Sequence, residues 1–147
     1  MNIPNGLQGY FSEENFKNYP KISLPQQFVD ARGSITNIAD GSIGDVAVIT
    51  CREGAVRANH YHDNDWHLTF MISGSMRYLW KNNLNSKDYQ SLVCGPEDLI
   101  YTPPNTPHKM LFLEDSIFVA VSSLSRSQIN YEFDTHRLSL NFFDDNK

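Results

Sequence analysis

The sequence predicts an all-β domain, a sandwich or barrel, with room for one short N-terminal helix. Three observations predict it. Short segments between residues 27 and 122 alternate at period two or are rich in β-branched and aromatic residues. Turn residues punctuate those segments at short intervals, as in sandwiches and barrels. The middle of the chain carries no helical period of useful length.

Taken in order, Ser12 can cap a helix over Glu13–Tyr19, with Glu13 and Glu14 in its first turn and Pro20 to stop it. Asp45–Cys51 reads DVAVITC, a β-branched run. His67–Ile72 and Ser75–Trp80 follow; in the second, Met76, Tyr78 and Trp80 share one face and are predicted to pack inward. Asp98–Thr102, Lys109–Leu113 and Ser116–Ser122 continue the series. The turn signals are Gly33, Gly54, Asp63-Asn64-Asp65, Ser73-Gly74, Gly95-Pro96 and Pro103–Pro107. His136–Phe143 alternates too and is predicted as a last strand packing outside.

A chain of 147 residues suggests one domain. At this size about two-thirds of the unfolded surface is buried on folding, enough for a core without a staple. The core is expected over about residues 27–122, with both ends packing outside it. The balance of 12 basic against 17 acidic residues, net −5, argues against nucleic acid and anionic membrane surfaces as partners. Cys51 and Cys94 show no metal or redox spacing, and the start of the chain shows no signal-peptide pattern. No apolar run approaches the roughly 20 residues of a membrane helix. The expectation is a cytoplasmic protein with reduced thiols.

The chemistry concentrates in histidines. His60 and His62, two apart, leave the same face of a strand. His67 opens the next strand after a turn, and His108 opens another after a proline-rich loop. Four imidazoles on neighbouring strands suit a borderline divalent ion. Zinc, iron, manganese and nickel all remain open. Arg57, Asn59 and Tyr61 alternate with the histidines and are expected on the opposite face. Asp63 and Asp65 are turn residues that can orient an imidazole from behind. His136 stands alone and is expected at the surface.

Gly54-Ala-Val-Arg57-Ala-Asn-His60-Tyr-His62, with His67 and Gly74, resembles the first motif of the cupin superfamily. Gly95 with Pro103-Pro-Asn-Thr-Pro-His108 resembles the second. The resemblance implies a jelly-roll β-barrel, a double-stranded β-helix, with the motif histidines pointing inward. His67 stands where the family has an acid, and Asn105 where it has a glycine; Asn tolerates a left-handed turn. Asp30-Ala-Arg32-Gly33 and Arg57-Ala-Asn-His60-Tyr-His62 resemble the nucleotide-sugar 3,5-epimerases and 3,4-ketoisomerases, and the metal-binding cupin half of capsular-sugar reductases. Ala58 replaces the glycine of their R-G.

That resemblance implies an isomerase or epimerase acting on a nucleotide-linked deoxy keto-sugar in polysaccharide precursor synthesis. Arg57 and Tyr78 become candidate substrate contacts; no general acid or base is assigned. The metal set would be His60, His62, His67 and His108. A histidine that ligates metal cannot also serve as a free base, so the two roles compete for His60 and His62. A metal-dependent dioxygenase and a non-catalytic ligand-binding module are the alternatives. Family habit and the need to cover sheet edges suggest a homodimer.

Overall fold

The computed structural model describes residues 3–144. Two five-stranded antiparallel sheets face each other. The first has the order β1 (Lys21–Ile22), β9 (Leu99–Thr102), β6 (His67–Ser73), β11 (Ser116–Ser122), β4 (Asp45–Cys51). The second has the order β12 (Thr135–Arg137), β5 (Val56–His62), β10 (His108–Phe112), β7 (Met76–Trp80), β8 (Gln90–Cys94). A separate hairpin, β2 (Phe28–Asp30) with β3 (Gly33–Ile35), turns at Asp30–Gly33. Crossovers between sheets make this the jelly-roll arrangement of two facing sheets.

The inward faces meet in one apolar cluster. Met76, Tyr78 and Trp80 lie there as their alternation predicts, with Phe112 beside them on β10 and Met71 and Phe118 opposite. A second cluster lies on the outer face of the first sheet. Leu7, Phe11 and Phe16 from the N-terminal segment cover Leu68, Leu99, Tyr101 and Val121 there. Strand β9 is therefore buried on both faces, and all four of its residues are buried.

Two expectations at the ends are corrected. The N-terminal helix is a single 3-10 turn, Glu13–Phe16, instead of reaching Tyr19. The Ser12 N–H donates to Asn15 Oδ1 at 2.8 Å, and Phe16 then anchors the chain in the outer cluster so that Lys21 and Ile22 can join β9. The predicted strand His136–Phe143 is cut short: a helix α1 (Gln128–Asp134) leads into the short β12, which ends at Arg137, and a turn follows. β12 pairs with Tyr61, His62 and His60 only. Beyond Arg137 it meets a bulge in β5, where regular pairing cannot continue.

That bulge is decisive for the site. His108 pairs with His60, but Lys109 pairs with Ala58, so Asn59 is the extra residue. Ala58 and Asn59 both take left-handed backbone, φ 64° and 61°. The alternation is reset: Arg57 and His60 pair with Met110 and His108, two apart on β10, and so share one face. The expectation that Arg57 lies opposite His60 is corrected by this one inserted residue. Ala58 therefore stands in a conformation that glycine reaches without strain.

Candidate functional site

The site lies between the sheets. His60, His62 and His108 come from adjacent strands of the second sheet, and His67 from β6 of the first. The bound ends of β5 and β10 are fixed by the proline-rich loop. There Asn105 takes φ 60°, as a left-handed turn requires, and its N–H donates to the His62 carbonyl at 2.7 Å.

The ring centroids of His60 lie 4.5 Å from His62 and 4.8 Å from His108. The three residues offer ligand atoms all within 4.8 Å of one another. His67 stacks on His62 at 4.6 Å but belongs to a second group with His62 and Asp65. The structure thus brings the predicted four together as three converging rings with His67 joined through His62.

Each ring is set from behind. His108 Nδ1 lies 2.9 Å from the Thr106 carbonyl, which can only accept, so this nitrogen carries the proton and Nε2 keeps its lone pair. His62 Nδ1 lies 3.2 Å from Thr135 Oγ1 and 3.9 Å from the Asp134 carboxylate. Its Nε2 is buried with no hydrogen-bond partner. His67 Nε2 lies 2.7 Å from Asp65 Oδ2 but outside hydrogen-bond geometry.

Burial holds the imidazoles of His60, His62 and His108 neutral. It pushes His108 down to about 3, against the opposing pull of the Thr106 carbonyl. Burial and the neighbouring His67 push His62 down to about 4. His60 falls furthest, first through burial and then through the crowding of His108, His62 and His67. Burial raises the Asp65 carboxyl, but His67, Ser123 Oγ and the Leu124 N–H outweigh it and hold it below the ordinary range.

A cavity of about 100 Å³ opens beside the rings. His60, His67 and His108 line it, with Arg57, Arg126 and Tyr131. Ile49, Met110 and Phe118 supply apolar wall. Arg57 is anchored by Nε to Cys51 Sγ at 3.0 Å and by Nη2 to the Thr50 carbonyl at 3.2 Å. It also borders a larger open cleft of about 810 Å³ at the seam between β4 and β5.

Tyr78 is corrected as a substrate contact. It is fully buried, its hydroxyl meets Thr102 Oγ1 at 2.7 Å, and its ring lies 6.0 Å from that of His108, among the core residues and not in the cavity lining. Asp63, by contrast, pairs with the half-exposed His136 at 2.6 Å, which places His136 at the surface as predicted.

Sequence reasoning missed Arg126 and Tyr131. Arg126 sits in a polar loop after β11. Tyr131 sits on α1, its ring 6.4 Å from His60 and 6.0 Å from His62. Neither belongs to a motif; only the fold carries them to the cavity. Buried carboxylates make that placement. Asp65 Oδ1 accepts from Ser123 Oγ at 2.6 Å and the Leu124 N–H at 3.0 Å, tying down the loop that leads to Arg126. Asp134, at the end of α1, accepts from the Asn64 and Asp65 N–H groups, both at 2.9 Å.

No protein-family model matches the chain, and no curated protein sequence matches it. Solved structures do. A dTDP-4-dehydrorhamnose 3,5-epimerase from Sulfolobus tokodaii aligns at TM-score 0.62 and 18% identity, over 81% of this chain and 76% of that one. A sugar 3,4-ketoisomerase from Thermoanaerobacterium thermosaccharolyticum, in complex with TDP, aligns at TM-score 0.65 and 18% identity, over 86% and 94%. A 3'-monoepimerase from Streptomyces bikiniensis, in complex with dTDP-quinovose, aligns at TM-score 0.67 and 15% identity, over 87% and 74%. At such identities the likeness is one of fold, and it agrees with the strand order: the chain has the cupin jelly-roll fold that these epimerases and this ketoisomerase share.

Proposed function

We propose that the protein is a metal-binding cupin that epimerises or isomerises a nucleotide-linked deoxy keto-sugar, in the supply of polysaccharide precursors. The observation that carries the metal reading is the buried, unpartnered Nε2 of His62 beside His60 and His108. A buried polar atom without a partner costs about 1–3 kcal/mol, which a bound cation would offset. Three neutral imidazoles, two of them oriented through Nδ1, fit a zinc, iron, manganese or nickel ion. Such an ion would supply positive charge to a carbonyl oxygen as a neighbouring carbon loses its proton.

The chain's own groups divide the rest. The apolar wall of Met110 and Phe118 limits water beside the rings. Arg57 keeps Nη1 free of any hydrogen bond among the described residues and stands between the cavity and the wider cleft. A diphosphate held there would leave the sugar facing the histidines. Tyr131 places a phenol in the cavity, where it can exchange a proton with the substrate.

Deuterium exchange tests this. With thymidine- or uridine-diphosphate 4-keto-6-deoxy sugars in deuterated water, label is expected at a carbon beside the carbonyl, read by mass spectrometry. Tyr131→Phe is expected to slow that exchange by roughly 100-fold or more, the usual worth of a positioned acid or base. No binding and no exchange across the panel would end the sugar assignment.

The proposal includes a homodimer. Strand β4 is a sheet edge, and Val46 and Val48 on it are 65% and 71% exposed. Phe28, Val29 and Ile35 of the β2–β3 hairpin are also exposed. An apolar edge of this kind favours pairing with a second copy. Light scattering should give twice the chain mass of 16.8 kDa, and a monomeric peak would remove the dimer. Among the described residues no helix is long and apolar enough to cross a membrane.

A further inference from the structure

The histidine rings are nearly closed off. His62 and His108 are 2% exposed and His60 is 9% exposed. The space beside them, about 100 Å³, is below the roughly 300–1,000 Å³ of sites that bury a small molecule. A ligand the size of a sugar therefore enters only if part of the lining moves. Strands β5, β6, β10 and β11 supply most of that lining, and each is bonded to a strand on both sides. Tyr131, on α1, belongs to a part of the lining that lies outside the sheets.

Helix α1 is weakly built. It has seven residues, Ser127 makes no side-chain cap bond, and there is no acid in its first turn and no base in its last. Such a helix is marginal on its own. Packing adds little: Ile129 and Phe133 face solvent, 71% and 82% exposed. The Glu132–Arg137 ion pair lies at the surface, where it is worth little. Tyr131 faces the rings, and Asp134 is buried. The firm ties are polar and lie at the two ends. Asp65 Oδ1 accepts from Ser123 Oγ and the Leu124 N–H before the helix. Asp134 accepts from the Asn64 and Asp65 N–H groups at its end. Both ties close on one turn, Asn64–Asp65, so the segment leaves and returns at the same place. Between them Arg126 adds only contacts of 3.3 to 3.7 Å to Asp45 and Ser122. The segment can lift without unpicking a strand, and low local stability of this kind is what lids share.

We infer that residues 125–133 form a lid over the histidine cavity: α1 unwinds and lifts to admit the ligand, and on closing returns Tyr131 to its place over His60 and His62. Asp65 and Asp134 are the two pins on which it moves. The lid's part in turnover rests on the function proposed above; the lifting itself does not.

Asn130 is exposed on α1, so changing it leaves the cavity untouched. Alanine there favours the helix and glycine disfavours it, enough to change the open fraction about fivefold between the two variants. Asn130→Ala and Asn130→Gly, treated with EDTA, are compared by hydrogen exchange and by labelling with diethyl pyrocarbonate. This reagent acylates neutral imidazoles and has nearly as many heavy atoms as a hexose. The Tyr131 amide, bonded to the Ser127 carbonyl at 3.0 Å, is expected to exchange about 100-fold or more faster than the Val119 amide in β11. In Asn130→Gly it should exchange about fivefold faster than in Asn130→Ala. Labelling of His60 and His108 should rise by the same factor, while His136 at the surface labels alike in both. Reading each variant against its own Val119 amide removes any change in global stability. A Tyr131 amide as protected as Val119, or cavity histidines labelled equally in the two variants, would overturn the lid. The expected exchange and labelling, with no deuterium entering any keto-sugar of the panel, would sink the proposed reaction and leave the lid standing. Keto-sugar exchange with equal labelling in the two variants would do the reverse.

Discussion

His108→Ala is expected to lower affinity for zinc or cobalt by more than about 100-fold, beyond the 10–100-fold that loss of an outer-shell contact costs. His108 is 2% exposed and its Nδ1 is committed to the Thr106 carbonyl, so its Nε2 lone pair is aimed and available. The variant removes one of three converging nitrogens and leaves a hole beside Tyr78. Thr135→Val is expected to fall within the 10–100-fold range, because it releases His62 Nδ1 without touching the lone pair on Nε2. His67→Ala separates two readings. If His67 stays with Asp65, 2.7 Å away, affinity falls less than in His108→Ala; if all four imidazoles bind one ion, the two losses match. His136→Ala, at a surface pair with Asp63, is the control and should leave binding unchanged. Competition against a chelator gives the affinities, and the visible spectrum of the cobalt form reports ligand number apart from any activity. Equimolar metal retained in His108→Ala with unchanged affinity would take the metal away from these rings.

Much of the fold could be read because it rests on local rules. Asp45–Cys51 and Ser116–Ser122 have the predicted bounds, since both are long, β-branched and flanked by turn residues. His60 and His62 face inward together because strand alternation holds between them. Arg57 was misplaced because alternation holds only until a residue is inserted, and nothing in Arg-Ala-Asn signals a bulge at Asn59. Ala58 at φ 64° shows the cost of that silence: the residue type argues against the conformation it adopts. The strand predicted over His136–Phe143 failed for a different reason. Leu138, Leu140 and Phe142 alternate with polar residues, but a strand needs a partner, and past the Leu138 N–H bond to the Asn59 carbonyl the bulge in β5 offers no further pairing. Arg126 and Tyr131 were beyond sequence reasoning altogether, because tertiary contacts of Asp65 and Asp134 bring them to the cavity. The Asp65–His67 contact lay between these cases. A carboxylate in the turn was legible as a support for an imidazole, but which imidazole it would face was not.

The metal-free protein is expected to lose stability steeply between pH 6.5 and pH 4. His60, His62 and His108 are all held below the ordinary imidazole pKa of about 6.5, His62 at about 4 and His108 at about 3. The unfolded chain therefore takes up protons near pH 6.5 while the folded one does not. The sign follows: stability rises with pH wherever the unfolded state binds more protons, so the full value is present above pH 6.5 and is lost on acidification. Each imidazole contributes about 1.4 kcal/mol per pH unit, and three give about 4 kcal/mol per unit in the steep range. From pH 7 to pH 5 the sum is roughly 5 kcal/mol, comparable to the whole stability of an ordinary domain. The carboxyl of Asp65, held below its usual range, adds to the loss only at lower pH, as it is protonated. Urea melts in EDTA at pH 7, 6 and 5 measure the slope. His60→Asn is expected to flatten it by about a third, because one of three suppressed protonations disappears while the barrel keeps its wall. A slope that stays near zero from pH 7 to pH 5 would mean that the rings reach water and accept protons in the folded state. The same result would withdraw the desolvated, neutral nitrogens on which the metal reading depends.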